Sequence, residues 1–260
     1  MTTHRARKRF GQNFLHDAGT IQRIVHAIAP RPGEHLLEIG PGQAALTLPL
    51  LDMAGHLQVI ELDRDLIEPL QQKCAGHGEL LIHQGDALKF DFCQLVATGE
   101  KLRVIGNLPY NISTPLLFHL MAHKHCIQDI HVMLQKEVVE RIVAAPGSSD
   151  YGRLSVMMQY HCQAEYLFTV RPGAFTPVPK VDSAVVRLQP YSAPPVEVHR
   201  PEVFASLVRQ AFSQRRKTLR NSLRNMLDAE AIQAAGVDPV LRPEQLSLDQ
   251  FAKLANLCTE

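Results

Sequence analysis

The sequence lacks any long apolar segment. No run of 18 apolar residues occurs among its 260 residues, so we expect no membrane-spanning helix. Residues 1–15 are basic but contain no apolar stretch of the kind found in a secretory signal, and we expect none. With 45% hydrophobic residues, the chain is long enough for one large soluble domain, alone or with a smaller companion.

The sequence also lacks cysteines at metal-binding spacing. Its five cysteines are scattered, and no two of them form C-x-x-C. Their odd number and irregular spacing favour free thiols in a reducing cytoplasm over disulfides or structural zinc. The nearest approach to a metal motif is His119, His123 and His125, followed by Cys126. This cluster has no acidic partner in the sequence and lies where a helix should end, so we expect a structural or solvated role and no metal.

Charge of one sign is missing from two segments. Four basic side chains lie in residues 5–9, and 209–224 contains six basic residues and no acid, whereas the rest of the chain has 17 basic and 26 acidic residues. The six residues, called the basic tract below, are Arg209, Arg215, Arg216, Lys217, Arg220 and Arg224. Such a concentration is typical of a polyanion-binding surface, although a solvated helix face and a tail would give the same pattern.

Short apolar runs alternate with amphipathic segments from Arg31 to Tyr110, which is the rhythm of a doubly wound parallel α/β sheet. Helices are predicted at 45–54 and 65–74, between the first strands. The predicted strands are 35–40, 56–62, 79–84, 102–107, 129–134, 165–170 and 183–190. We find no internal repeat and no low-complexity segment.

The C-terminal part of the chain has a different pattern. Four prolines in 189–201 predict a linker, and helical spacing follows at 202–212, 217–227 and 247–257. Ser247 and Gln250 form a capping box at the start of the last of these helices. We therefore expect an α/β domain over 1–190 with an N-terminal arm over 1–18, a linker over 191–200 and a helical domain over 201–260.

Four polar signals follow four successive predicted strands. They are Glu38 with the glycine turn Gly40-Pro41-Gly42, then Glu61, then Asp86 with Ala87, and finally Asn107. A glycine turn lets the backbone approach a ligand at a helix N-terminus, and an acid at the end of the second strand can accept both ribose hydroxyls. Because ligands of open α/β sheets bind at the carboxyl ends of the strands, we expect all four signals at one edge. The absence of G-x-x-x-x-G-K-[ST] excludes a P-loop.

The fourth signal, Asn107-Leu108-Pro109-Tyr110, separates the remaining nucleotide-binding classes. A dinucleotide dehydrogenase would use the glycine turn and the acid but has no use for this tetrapeptide. The combined pattern resembles the S-adenosylmethionine-dependent methyltransferases that act on the exocyclic amine of a nucleobase. The Asn107 side-chain oxygen and the Leu108 carbonyl can accept the two amine hydrogens, so that the nitrogen lone pair points at the sulfonium methyl.

Aromatic side chains complete the predicted target pocket. Pro109 fixes the turn without adding a competing N–H, and Tyr110 offers a ring on which an extruded base can stack, worth about 1–3 kcal/mol. A flipped base needs a second wall, for which Phe175 on a proline-stiffened loop is the candidate. Each assignment has a simpler structural alternative. Residues 107–110 could be an Asx-Pro turn with Tyr110 packed against it, and Phe175 could be a core residue.

A set of longer motifs carries a closer resemblance over nearly the whole chain. In order they are GQNFL (11–15), EIGPGQAALT (38–47), VIELDRDL (59–66), GDAL (85–88), IGNLPYNISTPLL (105–117), LQKEVVERI (134–142), YGRLSV (151–156), FTPVPKVDSAVVRL (175–188) and AFSQRRKTLRNSL (211–223). Together they resemble the ribosomal RNA small subunit (16S) adenine N6,N6-dimethyltransferase family, KsgA type.

The resemblance implies a seven-stranded Rossmann-like methyltransferase domain with a helical domain. We expect the protein to be a cytoplasmic monomer without a metal. The resemblance also implies that S-adenosylmethionine is held by Asn13, Leu15, Glu38, Gly40, Gly42, Glu61, Asp86, Ala87 and Asn107. Within this set, Glu61 would hold the ribose, Asp86 the adenine amine, Glu38 the amino group and Asn107 the methionine end. Tyr110 and Phe175 would flank the target adenine.

The implied reaction transfers four methyl groups to two adjacent adenosines in the hairpin loop near the 3′ end of 16S rRNA. It would take place late in the assembly of a small-subunit particle, with the basic tract contacting the RNA backbone. The nearest enzyme alternative is the large-subunit (23S) rRNA adenine methyltransferase that confers macrolide resistance. A non-catalytic RNA-binding assembly factor that has kept the fold is the alternative of a different class.

Overall fold

The computed structural model describes residues 13–214 and 216–258. The strands are β1 Phe14–Leu15, β2 His35–Ile39, β3 His56–Glu61, β4 Glu79–Gln84, β5 Leu102–Asn107, β6 Ile127–Gln135, β7 Cys162–Val170, β8 Phe175–Thr176 and β9 Ser183–Pro190. The helices are α1 Ala18–Ile28, α2 Thr47–Ala54, α3 Ile67–Cys74, α4 Ser113–Ala122, α5 Lys136–Val143, α6 Arg153–His161, α7 Pro201–Ala211, α8 Leu219–Ser222, α9 Ala229–Ala234 and α10 Leu248–Leu257.

The predicted strands form one twisted sheet. Over the described residues this sheet has seven strands in the order β4-β3-β2-β5-β6-β9-β7, and β1 pairs separately with β8. Neighbours from β4 to β6 run parallel, and β9 is antiparallel to β6. The inner strands are continuous apolar runs because both faces of a parallel sheet are covered, so Leu36, Leu37, Val104 and Ile105 are fully buried. The predicted α/β class and the strand positions are confirmed.

The order of strands reverses between β2 and β5, which places a topological switch point between them. A Cβ added to Gly106 in β5 would lie 2.8 Å from the backbone oxygen of Ile39 in β2. Glycine is therefore needed at position 106 for the two strands to approach closely. This packing fixes where β5 ends, and hence where Asn107 emerges from the sheet.

The predicted helix over 217–227 is wrong in its extent. The regular helix is limited to α8, after which the backbone forms turns such as the one closed by Met226 N–H on Leu223 O. Its apolar spacing is still used, because Leu219, Leu223 and Leu227 are all buried. The capping box at α10 is confirmed: the Ser247 hydroxyl accepts from Gln250 N–H, and the Gln250 side chain accepts from Ser247 N–H.

The chain divides into two compact units in a way that departs from the predicted boundary. The sheet unit contains the described residues up to Val139 together with Glu165–Pro190, and the helical unit contains the described residues of 140–164 and 191–260. Residues 140–164 join the helical unit because α6 packs against α7, with the rings of Tyr160 and Phe204 4.8 Å apart. These rings lie far apart in sequence, so no local pattern indicates the contact.

The predicted linker over 191–200 contains no helix or strand, but it belongs to the helical unit. Its end is held by Asn256, whose side chain accepts from His199 N–H and donates to Glu197 O. Across the described ranges, none of the helices combines the length and the apolar character that spanning a bilayer requires.

The expectation that all five cysteines are free thiols is wrong for one pair. Cys93 and Cys126 form a disulfide, whereas Cys74, Cys162 and Cys258 are buried thiols outside any disulfide. The two bonded cysteines are 33 positions apart, with Cα atoms at 5.5 Å. They meet because the fold brings the turn after β4 next to the turn before β6. The spacing of the cysteines in the sequence does not indicate this contact.

Candidate active site

A cavity of about 260 Å³ opens at the carboxyl ends of β2, β3 and β5 and beside the residues that follow β4. All four predicted signals line it, as does the segment from Asn13 to Leu15. The predicted meeting of these groups at one sheet edge is confirmed. The roles expected for the individual residues stay predictions.

The glycine turn after β2 requires its glycines. Gly40 and Gly42 have positive φ angles of 69° and 54°, a region that residues with a Cβ adopt at a cost. Gly40 N–H donates to Ile60 O of the neighbouring strand at 2.9 Å. A Cβ at Gly42 would come within 3.2 Å of the Phe14 ring. The turn therefore presents bare backbone to the cavity, and Phe14 packs over it.

Glu38 is a buried carboxyl group at the floor of the cavity. It is 2% exposed, and Thr47 Oγ1 donates to its Oε2 at 2.7 Å. Burial raises the pKa of Glu38 to about 7, against the opposing effect of the Thr47 hydrogen bond, and the nearby charge of Glu61 adds to the increase. A cationic ligand group beside Glu38 would favour its ionised form.

Glu61 is held in place by backbone N–H groups. Its Oε1 accepts from Asp63 N–H at 2.8 Å, and its Oε2 accepts a longer bond from Gly42 N–H at 3.4 Å. Burial raises the pKa of Glu61, while these N–H groups act in the opposite direction. The carboxylate is oriented before any ligand arrives, which suits an acceptor for hydroxyl groups.

Asp86 and Ala87 form the wall that follows β4. Asp86 is half-buried, and its Oδ1 accepts from Leu88 N–H at 3.0 Å, which closes a tight turn. Ala87 is buried beside it, and both residues line the cavity. The turn places a carboxylate at the cavity edge beyond β4.

Asn107 has a determined orientation. Its side-chain Nδ2 donates to the backbone oxygen of Asn13 at 3.0 Å. Because a carbonyl can only accept, the amide nitrogen must face Asn13, and the amide oxygen remains as the acceptor of this side chain. The next residue, Leu108, is anchored by its N–H on Met133 O at 3.1 Å.

Tyr110 is tethered to the first residue of β9. Its hydroxyl shares a hydrogen bond of 2.7 Å with the Ser183 hydroxyl at the start of β9. Burial raises the pKa of Tyr110, partly offset by that hydrogen bond. The ring is half-buried and lines the cavity together with Pro109 and Asn111.

Phe175 does not form the second wall expected for the target base. The ring is 1% exposed and belongs to the hydrophobic core with Leu15 and Val185. Because β8 pairs with β1, with Phe175 opposite Leu15, the ring is covered and has no free face for stacking. Phe14 lines the cavity instead, although sequence reasoning selected only its neighbours Asn13 and Leu15. The sequence did contain a signal for Phe14, since this aromatic residue lies between the two selected positions.

The basic tract is exposed in the helical unit. Arg209, Arg216, Lys217, Arg220 and Arg224 all have exposed side chains. Arg215 and the basic residues at 5–9 lie outside the described residues. The exposure of the tract is compatible with a solvated surface and with a phosphate-binding one.

Comparisons with known proteins agree over the length of the chain. The family model described as "Ribosomal RNA adenine dimethylase" matches residues 3–260. Ribosomal RNA small subunit methyltransferase A of Pseudomonas aeruginosa is 62% identical over 257 residues, covering 99% of this chain and 96% of the relative.

Two solved structures share the fold. A dimethyladenosine transferase from Plasmodium falciparum has a TM-score of 0.78 at 26% identity, covering 93% of this chain and 95% of that chain. The 23S rRNA methyltransferase ErmE has a TM-score of 0.74 at 28% identity, covering 95% of this chain and 99% of that chain. The sheet, the cavity and the family match together show that this chain belongs to the ribosomal RNA adenine dimethylase family.

Proposed function

We propose that this protein is an S-adenosylmethionine-dependent enzyme that dimethylates the exocyclic amines of two adjacent adenosines in the 3′-terminal hairpin loop of 16S rRNA. The observation that carries the proposal is the Asn107 amide, fixed by Asn13 O and set beside Tyr110 in a cavity with two buried carboxyl groups. The relative that is 62% identical is named for the small ribosomal subunit, which directs the proposal to that particle.

The residues of the cavity fit S-adenosylmethionine. Glu61, pre-oriented by backbone N–H groups, would accept hydrogen bonds from the ribose hydroxyls, and Asp86 would accept one from the adenine amine. Glu38 balances the positive amino group, which would turn its buried carboxyl group into the ionised form. Gly40 and Gly42 admit the ligand close to backbone, with Asn13, Leu15 and Ala87 as neighbouring walls. When bound, the cofactor supplies an electrophilic methyl carbon on a positively charged sulfur.

The chain activates a poor nucleophile by holding its hydrogens. The lone pair of an adenine amine is delocalised into the ring, so the amine must become pyramidal to react. The Asn107 side-chain oxygen and the Leu108 carbonyl accept its two hydrogens and favour that geometry. Tyr110 stacks on the extruded base, and the proton of the methylated amine passes to water without a dedicated base.

The RNA partner is recognised outside the cavity as well. The exposed basic tract contacts the phosphate backbone of 16S rRNA in a late small-subunit particle. Such a particle is found in the cytoplasm, where we place this protein as a monomer without a metal. Adenosine specificity belongs to the cavity, since phosphate contacts carry no base information.

The proposal is tested by offering labelled S-adenosylmethionine with unmethylated small or large ribosomal subunits. We expect label in small-subunit RNA, recovered as dimethyladenosine at two adjacent positions, and labelling about 100- to 1000-fold slower with Asn107→Ala. The likeness to ErmE supports a second candidate, methylation of 23S rRNA, and label in the large subunit alone would establish it. Cofactor binding without transfer to either subunit would support a non-catalytic assembly factor.

A further inference from the structure

The bonded cysteines join two segments that lead away from the cavity. Cys93 lies in the 3₁₀ turn Phe92–Leu95, a few residues after the cavity residues Asp86 and Ala87. Cys126 ends the 3₁₀ turn Lys124–Cys126 that follows α4, the helix that begins after the Asn107–Tyr110 segment. Their Cα separation of 5.5 Å lies in the usual range for disulfides, so the two segments need no rearrangement to be bridged.

The histidines singled out in the sequence hold these segments together. Phe92 is fully buried and packs against the rings of His119 and His123, with ring centroids at 5.3 and 5.4 Å. His119 Nε2 donates to Phe90 O at 2.9 Å, and His123 Nε2 lies 3.5 Å from Asp91 Oδ1. The cluster therefore does have an acidic neighbour, contrary to the sequence-based expectation. It positions the 90–95 turn against the end of α4.

The two cysteines differ in accessibility. Cys126 is 6% exposed, whereas Cys93 is only half-buried. The exposed residue His125 places its Nε2 3.2 Å from Cys93 Sγ. An imidazole nitrogen at that distance can accept the proton of the Cys93 thiol, and a thiolate is the nucleophile in disulfide exchange.

We propose that Cys93 and Cys126 are a reversible thiol–disulfide pair, with Cys93 as the attacking thiol, Cys126 as the resolving thiol and His125 as the proton acceptor for Cys93. With a disulfide oxidant such as oxidised glutathione, the Cys93 thiolate breaks the oxidant's sulfur–sulfur bond and forms a mixed disulfide, releasing one reduced glutathione. The Cys126 thiolate then displaces the second glutathione. Two protein thiols are oxidised to a disulfide. The disulfide of oxidised glutathione takes up their two electrons and two protons and becomes two thiols.

The bridge should clamp the segment after Asp86 to the end of α4. Closing a loop between positions 33 apart removes conformational freedom from the unfolded chain, and we expect the thermal unfolding midpoint to rise by about 10 °C on oxidation. This inference does not depend on the proposed function, because its readouts are thiol counts, adducts and unfolding rather than methyl transfer.

The test starts from fully reduced protein equilibrated with oxidised glutathione. Thiol titration of the denatured wild type should fall from five thiols to three, and non-reducing peptide mapping should find the Cys93–Cys126 cross-link. Cys126→Ser should accumulate a glutathione adduct on Cys93, whereas Cys93→Ser should form far less adduct on Cys126. His125→Gln should slow the reaction severalfold without changing the final thiol count. Cys74→Ser, which alters a buried free cysteine, is the matched control and should still form the cross-link.

A measurement on the wild type tests the proposal even if the variants do not fold. Brief alkylation of the reduced native protein should label Cys93 before Cys126. Five thiols that persist at every glutathione ratio, or equal adducts on the two single variants, would overturn the proposal. It would also fail if the reduced protein bound one Zn²⁺ and then resisted oxidation. The sulfurs and His125 lie within 4.8 Å of one another, and such binding would make this cluster a metal centre.

Discussion

At the scale of single residues, the cavity depends on side chains whose orientation is set by the surrounding backbone. Asn107 is oriented by its hydrogen bond to the Asn13 carbonyl, and Glu61 is oriented by hydrogen bonds from the N–H groups of Asp63 and Gly42. Such pre-orientation matters because acceptors already aimed at the reacting group need no reorganisation during the reaction.

Asn107→Ala should reduce the single-turnover rate of methyl transfer by about 100- to 1000-fold, because one of the two acceptors for the amine is lost. Loss of its bond to Asn13 O should cost only about 1 kcal/mol of unfolding free energy. Rapid-quench assays with labelled cofactor, alongside urea unfolding, measure both effects. The matched control is Asn111→Ala, an exposed amide that also lines the cavity, which should change the rate by only a few fold. A near-normal rate for the Asn107 variant would reject its assigned role.

Glu38 should make stability depend on pH in a recognisable window. Its pKa rises from an ordinary value of 4.5 to about 7 in the fold, so folding favours the neutral acid, and stability is lost as pH rises from 4.5 through 7. Glu38→Gln removes this titration. We expect the wild type to lose about 3 kcal/mol relative to the variant between pH 4.5 and 7.5.

Urea unfolding of the ligand-free proteins at several pH values measures the difference between the two profiles. Parallel profiles across that window would contradict the raised pKa. The Glu38→Gln variant should also bind the cofactor more weakly above pH 7, where the wild-type carboxylate can balance a positive amino group.

At the scale of secondary-structure elements, the strands were the most predictable part of the chain. The predicted strands 79–84, 102–107 and 183–190 coincide with β4, β5 and β9. The central strand β5 is a continuous buried run, because both faces of the parallel sheet are covered there. Helix extent was less predictable. The segment 217–227 has helical spacing, but its leucines reach the core from turns as well as from the short α8.

Gly106→Ala should test the close approach of β2 and β5. The added Cβ would lie 2.8 Å from both Ile39 O and a Leu108 methyl group, so the strands must separate. We expect a loss of about 1–3 kcal/mol in unfolding free energy and a lower transfer rate, since Asn107 is the next residue. Gly173→Ala is the control, because its Cβ would meet nothing within 4 Å. Equal unfolding midpoints for the two variants would contradict this packing argument.

At the scale of the whole molecule, the net charge is close to zero although the charges are unevenly distributed. Basic residues are concentrated in the basic tract, and acidic residues outnumber basic ones over the rest of the chain. The Arg216→Glu/Lys217→Glu double variant should weaken binding to small-subunit particles. It should reduce the slope of log affinity against log salt by about 2, because two phosphate contacts are lost. Binding isotherms at several salt concentrations measure both quantities.

The control for this experiment is Arg31→Glu/Lys101→Glu, which makes the same charge change. Both residues are exposed and precede β2 and β5, so they lie at the edge of the sheet opposite the cavity. Equal losses of affinity for the two double variants would show that net charge, rather than the tract, governs binding.

The sequence by itself determined the α/β class, the strands and the meeting of Glu38, Glu61, Asp86 and Asn107 at one edge. Apolar runs are local signals, and the carboxyl ends of parallel strands always share an edge. Only the tertiary structure decided that Phe175 is buried, that residues 140–164 join the helical unit, and that Cys93 meets Cys126. Burial and pairing of these kinds arise from contacts between residues distant in the chain, and local spacing carries no record of them.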